Sequence, residues 1–289
     1  MLLPINSLID SRFVVNRFLA SGGMAEVYEA YDTYTKKAVA LKIIKKELYD
    51  DDDEVERFKN EARFISMFNN SHIIKIFNVG DYQGNFFISY ELMKGKTMKT
   101  LLDDRAFLRP EEAIESILQV LEATKYIHLR KVIHNDIKPD NLFLTYDGNI
   151  KLIDFGIAMH IDDEPFSKMN ASVVYTAPEV LRSKQYSIQS DIYSLGVILF
   201  ELLTGKTPYM RPNTKEEIHA HLYENIPSIS KYIIINNGDM FDKVINKATN
   251  RSLDKRYKSD QEMIDDILKI KNYKSEKKES FFKRIFKRK

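Results

Sequence analysis

The pattern of apolar residues changes about a third of the way along the 289-residue chain. Up to residue 92, apolar runs broken by turn residues predict β-strands, and one stretch over 51–69 has helical spacing. The predicted strands of this part cover residues 12–20, 26–32, 37–44, 76–82 and 85–92. Beyond Met93, helical spacing dominates. This order predicts an α+β fold of two lobes, a small strand-rich lobe and a larger helical lobe, with a cleft between them.

The second part combines several helices with two short strands. Pro110 can start a helix, because proline fits the first helical position. Residues 187–204 are apolar nearly all round, as in a fully buried helix. Further helices are predicted over 214–224, 240–250 and 259–270, and strands over 142–145 and 151–153. The helix over 187–204 is therefore expected to lie inside the larger lobe.

Composition narrows the class of protein. Apolar residues make up 44% of the chain and charged residues 30%, which is typical of a soluble globular domain. Cysteine is absent, which excludes disulfides and thiolate metal sites and suits a reducing compartment. No run of about 18 apolar residues predicts a membrane span, and the first residues lack the pattern of a signal peptide. We therefore expect a cytoplasmic protein.

A basic segment ends the chain. Residues 271–289 hold nine Lys or Arg and two Glu, a net charge of +7, so the rest of the chain carries −5 of the total +2. If 280–289 is helical, one face carries four apolar residues, Phe281, Phe282, Ile285 and Phe286. This pattern favours weak contact with the inner face of the membrane or with a partner. A solvated tail is the alternative. Nucleic acid is not an expected partner, because the body is acidic.

Three polar residues between His134 and Asn141 form the strongest motif, His134-Asn-Asp-Ile-Lys-Pro-Asp-Asn. Asp136 can accept the proton of a substrate hydroxyl as a general base. Lys138 can neutralise a phosphate that is being transferred. Asn141 carries a side-chain oxygen of the kind that Mg²⁺ prefers. Their spacing indicates phosphoryl transfer, which needs a placed metal and an aligned hydroxyl rather than covalent help from the protein.

A second acidic motif, Asp154-Phe155-Gly156, follows Asp136 by 18 residues. Such a tripeptide alone is common in turns. Behind an apolar run it predicts that Asp154 binds the Mg²⁺ that bridges the β- and γ-phosphates. We expect Asp136 and Asp154 to converge, with Lys42, on one nucleotide–magnesium complex.

The strand-rich part offers residues for phosphate. A glycine pair lies in the run Leu19, Ala20, Ser21, Gly22, Gly23, Met24, Ala25, Glu26 and Val27. Small residues let backbone N–H groups approach phosphate oxygens, although a glycine pair can also be only a hairpin turn. Lys42 can reach the α- and β-phosphates, and Glu61 is its candidate partner. The alternatives are a solvent-facing lysine and a surface glutamate.

These motifs together resemble the eukaryotic-like Ser/Thr protein kinases, particularly their bacterial branch. The resemblance covers residues 12–270 and includes Ala177-Pro-Glu179, Asp191-Ile-Tyr-Ser-Leu-Gly196 and Leu253-Asp-Lys-Arg256. It implies a kinase domain over 12–270, with lobes 12–92 and 93–270 and a basic amphipathic tail over 271–289. It also implies a protein substrate, ATP, and Mg²⁺ with Mn²⁺ as the alternative metal.

The resemblance assigns further roles. Glu91 and Met93 would lie on the hinge that contacts adenine, with Tyr90 behind them. Glu179 and Arg256 would form a buried ion pair, and Asp191 would brace the backbone of the catalytic loop. The spacing of Asp136 and Lys138 resembles the Ser/Thr class rather than the tyrosine kinases.

Two departures from the family pattern stand out. Ala20 and Ala25 replace the outer glycines of the phosphate loop, which predicts looser phosphate contact. Asn135 replaces the usual Arg that pairs with a phosphorylated residue, and an asparagine cannot form that pair. We therefore expect activity that does not depend on phosphorylation of the activation segment, which offers Ser167, Ser172 and Thr176. Ser172 stands where the family has a Thr that touches the catalytic Asp and Lys.

Two other functions stay open. A kinase-fold scaffold without activity would be expected to lack a base or metal residue, and none is missing. A small-molecule phosphotransferase of related fold typically lacks Lys138 and the Ala177-Pro-Glu179 segment, and both are present. The sequence favours an active kinase and leaves its physiological substrate and oligomeric state open.

Overall fold

The smaller lobe is built on one curved antiparallel sheet. The computed structural model describes residues 3–82, 84–164 and 172–286, with side chains up to residue 273. The six strands of the sheet are β1 Leu8–Ile9, β2 Phe13–Ser21, β3 Ala25–Asp32, β4 Lys37–Ile44, β5 Ile76–Tyr82 and β6 Asn85–Glu91. They pair in the order β1-β2-β3-β4-β6-β5. One face of the sheet buries its own cluster of apolar side chains, which includes Phe13, Tyr28, Leu41 and Phe87.

Helix α1, Asp52–Ser66, accompanies this sheet and carries Glu61. It begins where predicted because the Asp51 carboxylate accepts hydrogen bonds from the backbone N–H groups of Asp53 and Glu54, which otherwise lack helical partners. Its apolar stripe, Phe58, Ala62 and Ile65, is buried. The helix ends three residues before the predicted end at 69. The cap at Asp51 therefore sets where α1 begins, and its apolar stripe sets which face is buried.

The larger lobe is mainly helical. Its helices are α2 Met98–Arg105, α3 Pro110–His128, α4 Pro178–Ser183, α5 Ile188–Thr204, α6 Thr214–Tyr223, α7 Gly238–Ala248 and α8 Asp260–Phe286. Its short strands are β7 Gly95–Thr97, β8 Val132–Ile133, β9 Leu142–Thr145, β10 Ile150–Leu152 and β11 Met159–His160. Strands β10, β9 and β7 form one small sheet, and β11 pairs with β8. The α+β fold of two lobes predicted from the sequence is confirmed.

Helix α5 is the centre of the larger lobe, as its apolar sequence predicts. All its residues from Ser190 to Thr204 are buried. At Gly196 the helix passes close to the end of α7, where a Cβ atom would come within 2.7 Å of the side chains of Ala248 and Thr249. Glycine is required there by this close approach.

Several predicted boundaries are wrong. The last helix does not end at Ile270 but continues to Phe286, because residues 271–286 contain neither glycine nor proline to end it. The side chains of the predicted apolar face at 280–289 lie outside the described residues. Helices α2 and α4 were not predicted. No helix within the described ranges is both long and apolar enough to cross a bilayer.

Candidate active site

Lys42 and Glu61 form an ion pair between the sheet and helix α1. The Nζ atom of Lys42 on β4 lies 2.5 Å from Oε2 of Glu61, and only 15% and 4% of these side chains are exposed. The Tyr90 hydroxyl on β6 donates to the other oxygen of Glu61 at 2.6 Å. Lys42 is thus not a solvent-facing lysine, and Glu61 is not a surface glutamate.

Lys42 keeps its charge in this buried position. Burial alone would lower its pKa, but the carboxylates of Glu61 and Asp154 outweigh burial and raise the pKa above its usual value. The positive charge of Lys42 in turn affects Asp154. Burial alone would raise the pKa of Asp154, yet Lys42 and a hydrogen bond from Gly156 N hold it below its usual value. The opposite charges of Lys42 and Asp154 therefore stabilise each other.

The catalytic-loop motif folds back on the Asp136 carboxylate. Its Oδ2 atom accepts hydrogen bonds from Lys138 Nζ at 2.7 Å and from Asn141 Nδ2 at 2.9 Å. The Asn141 amide also donates to the backbone carbonyl of Asp136 at 2.8 Å. A turn of 3₁₀ helix over Pro139–Asn141 brings Asn141 round to this position. The amide nitrogen of Asn141 is thereby committed to Asp136, which turns its oxygen away from that residue.

His134 ties this loop to the segment before Asp154. Its Nδ1 atom accepts from Asp136 N at 3.3 Å, and its Nε2 atom lies 3.3 Å from the carbonyl oxygen of Ile153. Burial lowers the pKa of His134, which favours the neutral ring that this pair of bonds requires. Ile153 N in turn donates to the carbonyl of Asn141 at 3.0 Å. Asp154 therefore follows a residue bonded twice to the loop of Asp136, and the two carboxylates do not lie on opposite sides of the molecule.

Asp154 has an unusual backbone conformation. Its φ angle is +63°, in the left-handed region that aspartate tolerates better than most residues. Gly156 N donates to Asp154 Oδ1 at 3.3 Å. A Cβ atom at position 156 would lie 3.2 Å from that oxygen, so the glycine permits the close approach. The Phe155 ring packs on the ring of His134, with centroids 4.6 Å apart.

The donor atoms of Asn141 and Asp154 fit the magnesium site that the sequence predicts. Within the described ranges there is no group of three or more His, Cys, Asp or Glu side chains that could hold a metal. Mg²⁺ does not need such a cage, because it is usually held by one or two protein oxygens together with phosphates and water. One ionised carboxylate and one amide oxygen are a suitable donor set.

The glycine-containing run is mostly strand. Strands β2 and β3 take up Leu19–Ser21 and Ala25–Val27, and residues 22–24 connect them. Gly22 N donates to the carbonyl of Ala25 at 2.9 Å. A Cβ atom at Gly23 would meet no atom within 4 Å, so packing does not require glycine there. The methyl group of Ala25 is buried in the sheet.

The predicted hinge follows β6. The Glu91 side chain is already used: it accepts from Lys75 N at 2.8 Å and pairs with Lys151 Nζ at 2.9 Å. Its backbone N–H donates to the carbonyl of Lys75 at 2.9 Å, so only its backbone carbonyl is left to contact a nucleotide. Met93 is half-buried in the connection between β6 and β7.

Two predicted scaffold contacts are present. Arg256 meets Glu179 through two hydrogen bonds, 2.7 Å to Oε1 and 2.9 Å to Oε2, and its side chain is fully buried. Asp191 on α5 accepts from the backbone N–H groups of His134 and Asn135 at 2.8 and 2.9 Å. Both predictions are confirmed.

Ser172 is the residue for which the family resemblance implies the position of a Thr that touches the catalytic Asp and Lys. In the part of the chain that the structure covers, no hydrogen bond joins its hydroxyl to Asp136 or Lys138. Its carbonyl instead accepts from the Thr176 hydroxyl at 2.9 Å. Serine lacks the methyl group that would fix its hydroxyl in one rotamer. Ser167 lies outside the described residues.

Sequence reasoning missed a buried His–Asp cluster. His128, at the end of α3, lies between Asp191, 2.9 Å from Nε2, and Asp260, 2.7 Å from Nδ1. The Thr124 hydroxyl donates to the second oxygen of Asp260 at 2.6 Å. Burial alone would lower the pKa of His128, but the two carboxylates raise it to about 9. A polar residue on the apolar face of a predicted helix was the available signal.

We expect this cluster to make stability depend on pH. The folded pKa of His128, about 9, lies above the ordinary 6.5, so its contribution is complete below pH 6.5 and is lost as pH rises through 9. The contribution is on the order of 3 kcal/mol. Urea unfolding of the wild type and of His128→Asn should give free energies whose difference shrinks by that amount between pH 6.5 and 9.5. A difference that stays constant over this range would contradict the prediction.

Comparisons with known proteins agree with this geometry. A model of the family "Protein kinase domain" matches residues 13–287. "Probable serine/threonine-protein kinase PknB" of Lactococcus lactis is 33% identical over 92% of this chain and 43% of its own length. "Serine/threonine-protein kinase PrkC" of Bacillus subtilis is 32% identical over 91% of this chain and 41% of its own. The chain thus spans about two fifths of the length of these two relatives.

Proposed function

The chain belongs to the protein kinase domain family, and from this premise we propose that it transfers the γ-phosphate of ATP to serine or threonine hydroxyls of proteins. The observation that carries the proposal is the arrangement around Asp136. Lys138 and Asn141 both donate to one oxygen of its carboxylate, and the loop is bonded to the residue before Asp154. The two relatives are named as serine/threonine-protein kinases, which supports serine and threonine hydroxyls as the acceptors.

Asp136 acts as the general base. The acceptor hydroxyl oxygen attacks the γ-phosphorus, the bond from that phosphorus to the β–γ bridging oxygen breaks, and ADP leaves. The hydroxyl proton passes to the Asp136 carboxylate. Lys138, 2.7 Å from that carboxylate, neutralises the phosphoryl group in transfer. The products are phosphoprotein, ADP and a proton that Asp136 later releases.

The nucleotide is held from the smaller lobe and the hinge. Lys42, fixed by Glu61, contacts the α- and β-phosphates, and the backbone of residues 19–27 covers them. The hinge backbone at Glu91 and Met93 contacts adenine. Asn141 and Asp154 would hold Mg²⁺, or Mn²⁺ in its place, and the metal would neutralise negative charge on the phosphates. The kinase domain extends over 12–270, and the basic tail after it serves weak contact with a membrane surface or a partner.

Activity does not require a phosphorylated activation segment. The Asn135 amide donates to the carbonyl of Ile157 at 3.1 Å, so it is already engaged within the chain. An asparagine also carries no charge with which to bind a phosphate. These two facts support activity in the unphosphorylated state.

One assay tests the whole proposal. The protein is dephosphorylated with a phosphatase, and the phosphatase is then removed. Labelled ATP, Mg²⁺ and a generic acceptor protein are added. We expect linear labelling of the acceptor from the start, on serine and threonine, and its loss when a chelator removes Mg²⁺. Lys42→Met should lower the rate at least tenfold because the phosphate contact is lost. Lys46→Met changes an exposed lysine four residues later and is the matched control.

Other results of this assay would each contradict one part of the proposed function. No labelling at all would favour a scaffold of kinase fold, and labelling of small molecules alone would favour a small-molecule phosphotransferase. Phosphotyrosine would contradict the acceptor class. A lag that disappears as the chain labels itself would show that phosphorylation activates it.

A further inference from the structure

A tight turn follows Asp154 directly. Residues 155–158 are closed by a hydrogen bond from Ala158 N to the carbonyl of Phe155 at 3.1 Å. Phe155 and Ala158 are buried. Backbone carbonyls in such a position need hydrogen-bond donors, because leaving one unpaired costs about 1–3 kcal/mol. The donors that this turn receives are therefore part of what fixes it.

Asn60 supplies one donor group from helix α1. Its side chain is 5% exposed, and its Nδ2 atom lies 2.8 Å from the carbonyl oxygen of Ala158, 3.2 Å from that of Gly156 and 3.3 Å from that of Phe155. A buried asparagine inside a helix is otherwise unfavourable. Three carbonyls around one amide explain why it is accommodated.

Asn135 supplies the other donor group from the catalytic loop. Its Nδ2 atom donates to Ile157 O at 3.1 Å. Its own backbone N–H is held by Asp191, and its φ angle of +67° is one that asparagine tolerates well. The two amides together contact all four consecutive carbonyls of the turn, one amide from each lobe.

Each amide is adjacent in sequence to a residue of the candidate active site. Asn60 precedes Glu61, which holds Lys42, and Asn135 precedes Asp136. The turn between them begins one residue after Asp154. A tilt of α1, or a shift of the loop, would break these bonds and move Asp154 relative to both neighbours.

We propose that Asn60 and Asn135 form an amide clamp on residues 155–158 that positions Asp154 between Lys42 and Asp136. Both are positioning residues, since they act through the turn. The clamp fixes the turn through two neutral amides. A phosphate bound to an arginine could fix it by charge, but the amides require no phosphorylation. Its effect on catalysis rests on the proposed kinase function, but its effect on the turn does not.

The test uses two separate measurements on the full chain. Hydrogen exchange followed by mass spectrometry reports on peptides that contain residues 155–158. Steady-state kinetics with ATP and an acceptor protein report on kcat and KM. The variants are Asn60→Ala and Asn135→Ala, and the control is Glu56→Gln on the exposed side of α1.

In both variants we expect exchange in this peptide to be about tenfold faster, and kcat about tenfold lower, since each loses a buried hydrogen bond. KM for the acceptor protein should change less than kcat. The melting temperature reports on general destabilisation, and the control should change none of these values. Exchange that stays at the wild-type rate in both folded variants would overturn the clamp.

Three further outcomes complete the test. If Asn60→Ala does not fold, Asn135→Ala still tests the clamp and the isosteric Asn60→Asp replaces Asn60→Ala. Asn60→Asp places an oxygen, which accepts hydrogen bonds, where the wild type has a donor to the carbonyl oxygens. If exchange rises as expected but the wild type transfers no phosphate, the clamp stands and the proposed function fails. Faster exchange with an unchanged kcat in an active enzyme would overturn the positioning role.

Discussion

Asp136→Asn is expected to lower the rate of phosphate transfer by about 10²–10⁴, the usual range for loss of a general base. An amide has the shape of the carboxylate, and its oxygen can still accept from Lys138 and Asn141. It cannot take the proton of the acceptor hydroxyl. The defect should therefore appear in kcat, with KM for ATP and the melting temperature close to those of the wild type.

The control for this substitution lies in the same loop. Asp140→Asn removes an equal charge from an exposed position four residues later and should retain the activity of the wild type within a few fold. Initial rates at saturating ATP and Mg²⁺ measure both variants. If Asp136→Asn keeps more than a tenth of the wild-type kcat, Asp136 is not the base.

Arg256→Met should cause the largest loss of stability, about 3–5 kcal/mol, because it leaves a buried carboxylate without its counter-charge. The Glu179 side chain is only 9% exposed. The same substitution removes the hydrogen bonds from Arg256 to the backbone carbonyls of Asn250 and Gln189, at 2.8 and 2.9 Å. Urea unfolding measures the loss as a lower transition midpoint.

Two variants test the physical reason. Lys258→Met breaks an exposed pair with Asp254 and should cost no more than about 1 kcal/mol. Arg256→Met combined with Glu179→Leu removes both charges and should recover part of the stability. A double variant as unstable as Arg256→Met alone would show that the lost backbone contacts, and not the unpaired carboxylate, cause the effect.

Local sequence predicted the elements that carry the site. The spacing of Asp136, Lys138 and Asn141 lies within one loop, so their contacts follow from a short stretch of chain. Helix starts at Pro110 and near Asp51 were also readable, since caps act over a few residues. A run of residues that is apolar nearly all round identified the buried helix α5.

Contacts between polar residues that are distant in the sequence were harder to predict. The Arg256–Glu179 pair, 77 residues apart, came from the family resemblance and not from spacing. The bonds from His128 to Asp260 and from Asn60 to the turn after Asp154 span 132 and up to 98 residues. In the sequence, each of these residues is an ordinary polar residue with no local signal for its partner. Only the packing of two elements decides which polar groups meet, and periodicity carries no information about that.

The carboxylate of Asp191 has a consequence for regulation. It joins the backbone at His134 and Asn135 to His128, and through His128 to the first residue of α8. The loop that carries Asp136 is thereby a rigid part of the same cooperative unit as three helices, and it cannot loosen without exposing buried charge. An effector that switches the molecule on and off should leave this unit intact and move helix α1, whose Asn60 and Glu61 are bonded to the turn after Asp154 and to Lys42.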